Sequence, residues 1–357
     1  MKMVRIFRPR VFWQSCRSVS RPRPGWGVVL AGLAMLGLAP VSVQAATPTV
    51  IKFSHVVAKE APKGKAADRF AELVNDRLKG KVEVQVFHNS TLYQDREEIE
   101  ALQLGAVQLL APSTAKLVPW FPQYQVFDLP YLFLDQDHAY KAMTDPRVTA
   151  RLFPLLKSRG MLGLAAWDNG FKHLTSGKCP IARPEDLKGQ RIRIQSAKVL
   201  EEQFRSVGAI PRVMGFGEVY TALARGVVDG QENTFSNIYS QKMHEVQKCL
   251  TVSSHGYIAY VVLTNALFWE GLPRDTRKVL EDTLAEVTRW QWERSAGAQE
   301  EAYGRIEQYA RATGKLQITA LAPEQRRQWA ASFQPVHKKF EPVIGKDLLD
   351  LVYSLAK

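Results

Sequence analysis

Cysteine is scarce in this chain, and the sequence motifs of common enzyme classes are missing. The 357 residues include three cysteines, none in a Cys-x-x-Cys pair, so the sequence indicates neither a redox motif nor a cysteine-based zinc site. Seven histidines are scattered singly, and we find no phosphate-binding glycine loop, Gly-x-Ser-x-Gly turn or His-Glu-x-x-His helix. We therefore expect no catalytic site, no metal and no cofactor.

Long apolar runs are also missing, apart from one near the N-terminus. Residues 25–39 carry no charge, but at about 1.5 Å per residue they are too short to cross a hydrocarbon core of ~30 Å comfortably. They follow a basic segment and precede Val43-Gln44-Ala45, whose small residues are typical of a signal-peptidase site. We interpret residues 1–45 as a signal peptide, with export to the periplasm and no stable membrane insertion after cleavage. An uncleaved anchor is the alternative.

The positive charge is concentrated in this leader. The chain has 48 Lys and Arg against 35 Asp and Glu, a formal net charge of +13. Seven basic residues and no acidic one lie within residues 1–45, which leaves 41 basic against 35 acidic residues, or +6, in the remainder. Nucleic-acid-binding surfaces need clustered cations, and the clusters here are short and broken by apolar residues. We expect no nucleic-acid partner.

Removal of the leader would leave two cysteines, Cys179 and Cys249. They could form a disulfide in an oxidising compartment. A chain of this length can also bury an ample core without such a cross-link. The sequence by itself leaves both a disulfide and two unpaired thiols open.

Apolar periodicity after the leader alternates between strand and helix patterns. Residues 82–86 alternate as in a strand, whereas apolar residues between 66 and 78 recur at spacings of three and four, as on a helix face. The strand–helix order recurs after residue 160, which predicts two small α/β units with mainly parallel strands. Residues 273–312 predict one helix far longer than the usual ~11–12 residues.

Cations and amides placed among apolar residues are the candidates for a ligand site. Arg193 lies within the apolar strand pattern of residues 191–195, where an unpaired buried charge would be costly; a solvent-exposed face is the alternative. Lys172 follows an apolar strand that we expect to end at Trp167, at an edge where parallel sheets present ligand loops. Asn233 ends a polar run that a simple turn does not explain.

Several sequence blocks resemble the solute-binding proteins of tripartite ATP-independent periplasmic (TRAP) transporters, of the DctP family. The family signature is similar to MGFGEVYTALARGVVDGQEN (residues 214–233) and SNIYSQKMHEVQK (236–248). Further blocks similar to the C4-dicarboxylate-binding branch are FSHVVAKEAPKGKAA (53–67), YQDREEIEALQLGAVQLLAPS (93–113), WDNGFKHLTSGKCPI (167–181), EDLKGQRIRIQSAKVLEEQF (185–204) and FWEGLPRDTRKVL (268–280). Together the blocks cover most of residues 49–350, in order.

This resemblance implies an α/β fold of the two-domain periplasmic-binding-protein type, similar to type II. Two domains would be hinged by crossing strands, with the long helix spanning both and one ligand held in the cleft. We expect domain I to comprise residues 46–169 and 259–298, and domain II to comprise residues 170–258 and 299–357.

The resemblance also assigns roles to individual residues. It implies that Arg193 clamps a ligand carboxylate, with Asn233 beside it and Lys172 as a second cation. The other expected site residues are His55, Lys59 and Arg96 on the first domain's side of the cleft, and Phe216 and Trp167 as apolar walls.

The chemistry of these residues fits a small dianion. A guanidinium offers two parallel N–H donors to a carboxylate, and a C4-dicarboxylate needs a cation at each end because one unpaired buried charge is costly. The resemblance implies capture of succinate, fumarate or malate and delivery to a TRAP membrane permease. Another organic acid (a 2-oxo acid, monocarboxylate or sugar acid) and a ligand-sensing role for a membrane kinase are the alternatives.

Overall fold

The computed structural model describes residues 47–356. The predicted signal peptide therefore lies outside the described residues. The strands are β1 (Thr49–Ser54), β2 (Val82–Phe87), β3 (Leu109–Leu110), β4 (Met161–Ser176), β5 (Arg191–Ile194), β6 (Ile210–Val213), β7 (Gly230–Asn233), β8 (Cys249–Asn265) and β9 (Gln317–Ala320). The helices are α1 (Pro62–Arg77), α2 (Glu98–Gln103), α3 (Thr114–Leu117), α4 (Gln136–Thr144), α5 (Pro146–Leu156), α6 (Lys198–Ser206), α7 (Val219–Ala224), α8 (Phe235–Ser240), α9 (Ala266–Gly271), α10 (Arg274–Thr313), α11 (Pro323–Ile344) and α12 (Lys346–Ser354).

The strands join into one mixed sheet in the order β2-β1-β3-β8-β4-β7-β5-β6, with β9 added beside β8. Strand β1 is parallel to β2 and β3, and β5 is parallel to β6 and β7. The two long strands β4 and β8 run antiparallel at the centre. The sheet therefore has two parallel flanks, as the two predicted α/β units require, separated by a central antiparallel pair.

The long strand β4 corrects one expectation from the sequence. We expected the strand to end at Trp167 and residues 169–172 to form a loop, whereas β4 continues to Ser176. The register with β8 shifts between Asp168 and Gly170, and Gly170 has a φ of 94°. A bulge at a glycine lets a strand bend without ending, so polar residues here do not break the pairing. The domain boundary at this point stays a prediction.

The long helix is confirmed. Helix α10 extends over 40 residues and stops at Gly314, whose left-handed φ of 63° is typical of a helix C-terminus. It packs against α1 on one flank of the sheet and against α8 on the other, and it also contacts β4. The helix thus supports both flanks from one side.

Cys179 and Cys249 are joined by a disulfide, with their Cα atoms 6.0 Å apart. Cys249 begins β8 and pairs in the sheet with Ser176, the last residue of β4. The cross-link therefore holds together one end of the central antiparallel pair.

Among the described helices, none combines the length and apolar character needed to cross a bilayer.

Candidate functional site

Arg193 lies in the middle of β5 and is only 2% exposed, between the fully buried Ile192 and Ile194. Its Nε and Nη2 donate to the carbonyl oxygen of Met214 at 3.1 and 2.8 Å. It forms no ion pair with any other residue of the described chain, and its burial lowers its pKa although nearby carboxylates oppose this. The structure therefore contains a buried guanidinium that is oriented by a carbonyl but not neutralised.

The preceding arginine in the strand has a different environment. Arg191 is partly exposed, and its Nη2 lies 2.9 Å from Oδ1 of Asp229. From the alternation of side chains along a strand alone, Arg191 and Arg193 would lie on the same face of the sheet. Only Arg193 combines burial with the lack of a carboxylate partner.

Arg193 lines a narrow cavity of about 20 Å³ beside the central strands. Two other expected site residues, Asn233 and Phe216, line the same cavity. The remaining lining residues are Val56, Val57, Lys63, Asp95, Glu98, Pro112, Ser113, Lys116, Gln195, Asn237, Ile258 and Tyr260. Several of them follow the carboxyl ends of parallel strands from both flanks, the usual place for a ligand in an α/β sheet.

Asn233 is the last residue of β7 and is 1% exposed. Its Oδ1 accepts hydrogen bonds from Nδ2 of Asn237 at 2.8 Å and from the backbone N–H of Thr234 at 3.1 Å. Because the oxygen is already used, the side-chain amide nitrogen is the group that can donate to a ligand.

Lys63, on the first turn of α1, is the most important lining residue that the sequence analysis missed. It is 1% exposed, its Nζ donates to the carbonyl oxygen of Ala111 at 2.8 Å, and the same atom lies 3.8 Å from the ring centroid of Tyr260. Within residues 47–356 it has no carboxylate partner at ion-pair distance. Burial lowers the pKa of Lys63 to about 7, although Glu98 opposes the shift.

The sequence contained a signal for Lys63. It precedes Ala66, Ala67 and Phe70 by three, four and seven residues, and all three are fully buried. This spacing places the lysine on the apolar face of the helix. A charged residue at such a position is a candidate for function.

Two carboxylates also line the cavity, and both pair with the same lysine. Lys116 Nζ lies 2.7 Å from Oδ1 of Asp95 and also contacts Glu98. Burial raises the pKa of Glu98, whereas for Asp95 the attraction of Lys116 outweighs burial and lowers the pKa. The cations left without a carboxylate partner around this cavity, among the described side chains, are Arg193 and Lys63.

The structure does not bring Lys172 to this cavity. Lys172 is fully buried, and its Nζ lies 2.7 Å from Oε1 of Glu232, whose Oε2 is 2.9 Å from Nε2 of His255. The reason is the alternation of β7, since adjacent residues of a strand face opposite sides of the sheet. Asn233 faces the cavity, and Glu232 faces Lys172. Burial raises the pKa of Glu232, but Lys172 and His255 outweigh it and lower the pKa to about 2.

Arg96 and Lys59 are more exposed than the sequence analysis expected for site residues. Arg96 lines a neighbouring outer cavity of about 190 Å³, and its Nη2 lies 3.2 Å from Oε1 of Glu218. Lys59 is 66% exposed, and its Nζ is 3.7 Å from Oδ2 of Asp68. Neither side chain lines the cavity that contains Arg193.

His55 and Trp167 are fully buried but belong to other clusters. His55 Nε2 lies 2.9 Å from Nδ1 of His88. Trp167 packs against Phe53, with ring centroids 5.8 Å apart, and its Nε1 donates to Thr288 Oγ1 at 3.0 Å. Trp167 is therefore part of the core between the sheet and helix α10.

Within residues 47–356, no group of three or more His, Cys, Asp or Glu side chains is arranged to hold a metal ion.

Comparisons with known proteins agree with this architecture. Residues 53–342 match the DctP family model, described as bacterial extracellular solute-binding protein, family 7. The C4-dicarboxylate-binding periplasmic protein DctP of Rhodobacter capsulatus is 46% identical over 324 residues, which cover 90% of this chain and 96% of that protein.

Solved structures are similar over most of the chain. A TRAP periplasmic solute-binding protein from Sulfurospirillum deleyianum, with bound succinate, is 44% identical with a TM-score of 0.84, covering 87% of this chain and 99% of that one. Another from Pseudomonas aeruginosa PAO1, with bound L-malate, is 39% identical with a TM-score of 0.78, covering 82% and 100%. The periplasmic-binding-protein-like α/β fold implied by the sequence is confirmed. This chain belongs to the DctP family of bacterial extracellular solute-binding proteins, the solute-binding components of TRAP transporters.

Proposed function

We propose that this protein captures a C4-dicarboxylate such as succinate, fumarate or malate in the periplasm and delivers it to a TRAP membrane permease. The observation that carries this proposal is the cavity lined by both Arg193 and Lys63, neither of which pairs with a carboxylate in the described structure. Two separate buried cations match the two charged ends of a dicarboxylate dianion.

In the proposed complex, Arg193 holds one carboxylate. Its Nε and Nη2 are oriented by the carbonyl of Met214, so the guanidinium plane is fixed before the ligand arrives. Pre-oriented donors lose less conformational entropy on binding. The Asn233 amide donates to the same carboxylate, and the Phe216 ring packs against the short carbon chain.

Lys63, rather than Lys172, holds the second carboxylate. Lys172 is already neutralised by Glu232 at 2.7 Å, whereas Lys63 has a carbonyl and an aromatic ring as its neighbours. A buried ammonium without a counter-ion is destabilised, and a ligand carboxylate removes that cost. A dianion can pair with both Arg193 and Lys63, whereas a monocarboxylate leaves one of them unpaired, so the site favours the dianion.

The proposed location and partner rest on other observations. Residues 1–45 have the order of a signal peptide, and a relative that is 46% identical is named a periplasmic protein. A solute-binding protein of a TRAP system needs a membrane permease to receive the ligand. The leader and the relative support a periplasmic location, and family membership supports delivery of the captured acid to a permease.

Isothermal titration calorimetry tests the proposal, with residues 46–357 titrated with succinate, fumarate and L-malate. Arg193→Ala is expected to weaken binding by about 100-fold, since losing one member of a buried charge pair costs ~2–5 kcal/mol. Arg212→Ala is the matched control, because Arg212 is the register partner of Arg193 on β6 and is exposed. Equal affinity of Arg193→Ala and the parent protein would contradict the site.

A competition panel distinguishes the dicarboxylate from another organic acid. Bound succinate is challenged with a 2-oxo acid, a monocarboxylate and a sugar acid at equal concentration. Displacement by L-malate or fumarate at the lowest concentrations supports the proposal. Stronger displacement by a monocarboxylate or sugar acid would reassign the ligand within the same family.

A further inference from the structure

Asp95 occupies an unexpected place for an anionic residue, on the wall of a cavity that contains two unpaired cations. It lies before α2, on the β1–β3 flank of the sheet, and lines both the inner and the outer cavity. Its Oδ1 is 2.7 Å from Nζ of Lys116. Its Oδ2 accepts the backbone N–H of Phe216 at 3.1 Å.

The contact with Phe216 joins the two flanks of the sheet. Phe216 follows β6, on the flank opposite to β1–β3. Two residues earlier, the carbonyl oxygen of Met214 accepts both hydrogen bonds from Arg193. Asp95 therefore holds the short segment 214–216 at one end, and this segment orients the Arg193 guanidinium at the other.

The site must open for a ligand to enter. Arg193, Asn233 and Lys63 line the cavity but are only 1–2% exposed. A ligand that contacts all three has to pass through contacts that close over the cavity. The hydrogen bond from Phe216 to Asp95 is one of these contacts, and the hydrogen bond from Gln195 Nε2 to Ser113 Oγ, at 2.7 Å, is another.

We propose that Asp95 is a positioning residue for ligand capture: it accepts the Phe216 N–H when the two flanks close and so fixes segment 214–216 and Arg193 around the bound acid. This inference rests on the proposed dicarboxylate function. Lys116 pairs with both Asp95 and Glu98 and so offsets part of the charge of Asp95, which weakens the repulsion between this carboxylate and the ligand.

Whether a dianion binds more tightly or more weakly after Asp95 is replaced distinguishes this role from that of a residue that only lines the cavity. If Asp95 only lined the cavity, removing its negative charge would strengthen the binding of a dianion. If it positions segment 214–216, removing its acceptor oxygen weakens binding. Asp95→Asn removes the charge but keeps an oxygen that can accept the Phe216 N–H.

Calorimetry and stopped-flow measurement with succinate test the inference on residues 46–357. Asp95→Ala is expected to raise Kd about tenfold, mainly through faster dissociation, because the contact closes after the ligand has entered. Asp95→Asn is expected to bind at least as tightly as the parent. Glu218→Ala is the matched control, since it removes a nearby negative charge without touching the Phe216 N–H, and no weakening is expected.

Two results would overturn the role of Asp95 while leaving the proposed function intact: Asp95→Ala binding as tightly as the parent, or Asp95→Asn binding as weakly as Asp95→Ala. Failure of the parent itself to bind any dicarboxylate would instead contradict the proposed function. If Asp95→Ala does not fold, hydrogen exchange of the parent decides. Succinate is expected to slow exchange of the Phe216 amide, and unchanged exchange would overturn the proposal.

Discussion

Lys172 and Glu232 form a fully buried ion pair across neighbouring strands, with Nζ 2.7 Å from Oε1. The next residue of the same strand, Asn233, lines the cavity with Arg193. One step along β7 therefore separates a charge pair inside the protein from the candidate ligand site. The polar run of residues 229–233 therefore contributes both to an internal ion pair and to the candidate ligand site.

The Lys172→Met variant is expected to lose stability. Removing the lysine leaves Glu232 buried with only His255 as a partner, and breaking a buried ion pair costs about 3–5 kcal/mol. Chemical denaturation measures this loss as a fall in the free energy of unfolding.

The same substitution at Lys63 is the matched control. It is expected to abolish succinate binding with little loss of stability, because Lys63 has no carboxylate partner among the described residues. Loss of binding at unchanged stability in Lys172→Met would contradict this division.

Binding is expected to weaken as the pH rises above about 7. The pKa of Lys63 is lowered to about 7 by burial, so the free protein loses this positive charge above that pH. A bound dianion favours the charged lysine and raises its pKa, so binding takes up a proton above pH 7 and none well below it.

Fumarate titrations between pH 6.5 and 9 measure this dependence, since carboxylic acids are ionised over this whole range. Kd is expected to be level near pH 6.5 and to rise by up to about tenfold per pH unit above 7. Lys63→Arg keeps its charge and is expected to give a flatter profile. A Kd independent of pH in the parent protein would argue against Lys63 as the second clamp.

The disulfide is expected to stabilise the folded protein. It links residues 70 apart in sequence, and closing a loop of that length restricts the unfolded chain by about 4 kcal/mol. The double variant Cys179→Ser/Cys249→Ser is expected to unfold at a lower denaturant concentration than the oxidised parent. Reduced parent protein is the control and should match the variant. Equal midpoints for oxidised parent and variant would show that the cross-link contributes nothing.

Trp167 is expected to matter for stability and not for ligand contact. It is fully buried against Phe53, and replacing such a side chain by alanine costs about 3–5 kcal/mol. The folded fraction of Trp167→Ala is expected to keep the succinate affinity of the parent. Trp120→Ala, at a side chain that is 37% exposed, serves as the comparison and should lose less stability than Trp167→Ala. A large rise in Kd in folded Trp167→Ala would place the ring at the ligand after all.

The sequence predicted much of the fold because its apolar periodicity is strong. The pattern of residues 273–312 gave helix α10 almost to its ends. The extent of β4 was predicted less well, since Asp168, Asn169 and Gly170 looked like the end of a strand. Their backbone pairs with β8, and the side chains of Asp168 and Asn169 are hydrogen-bonded to residues distant in sequence. The local pattern contains none of these contacts.

The candidate site was predicted in part. Arg193 was singled out because a charge stood among apolar neighbours, and Asn233 because it ends a polar run that a turn does not explain. The structure brings both to one cavity with Phe216. Lys63 was missed although its helical spacing placed it on the buried face. Lys172 was assigned to the ligand from its place after an apolar strand and from the family resemblance. Its buried partner Glu232 lies 60 residues away in sequence, so the local pattern did not reveal the ion pair.

What the amino-acid order determined by itself is the family and the α/β character, because these follow from local patterns and contiguous blocks. The burial of Arg193 was decided by the packing of β5. The tertiary structure alone decided which cations are neutralised inside the protein and which remain for a ligand. Lys172 and Lys63 are both lysines in apolar surroundings, and only the packing of β7 and α1 gives one a carboxylate and leaves the other without. Charge pairing depends on distance in space, and distance in sequence does not contain that information.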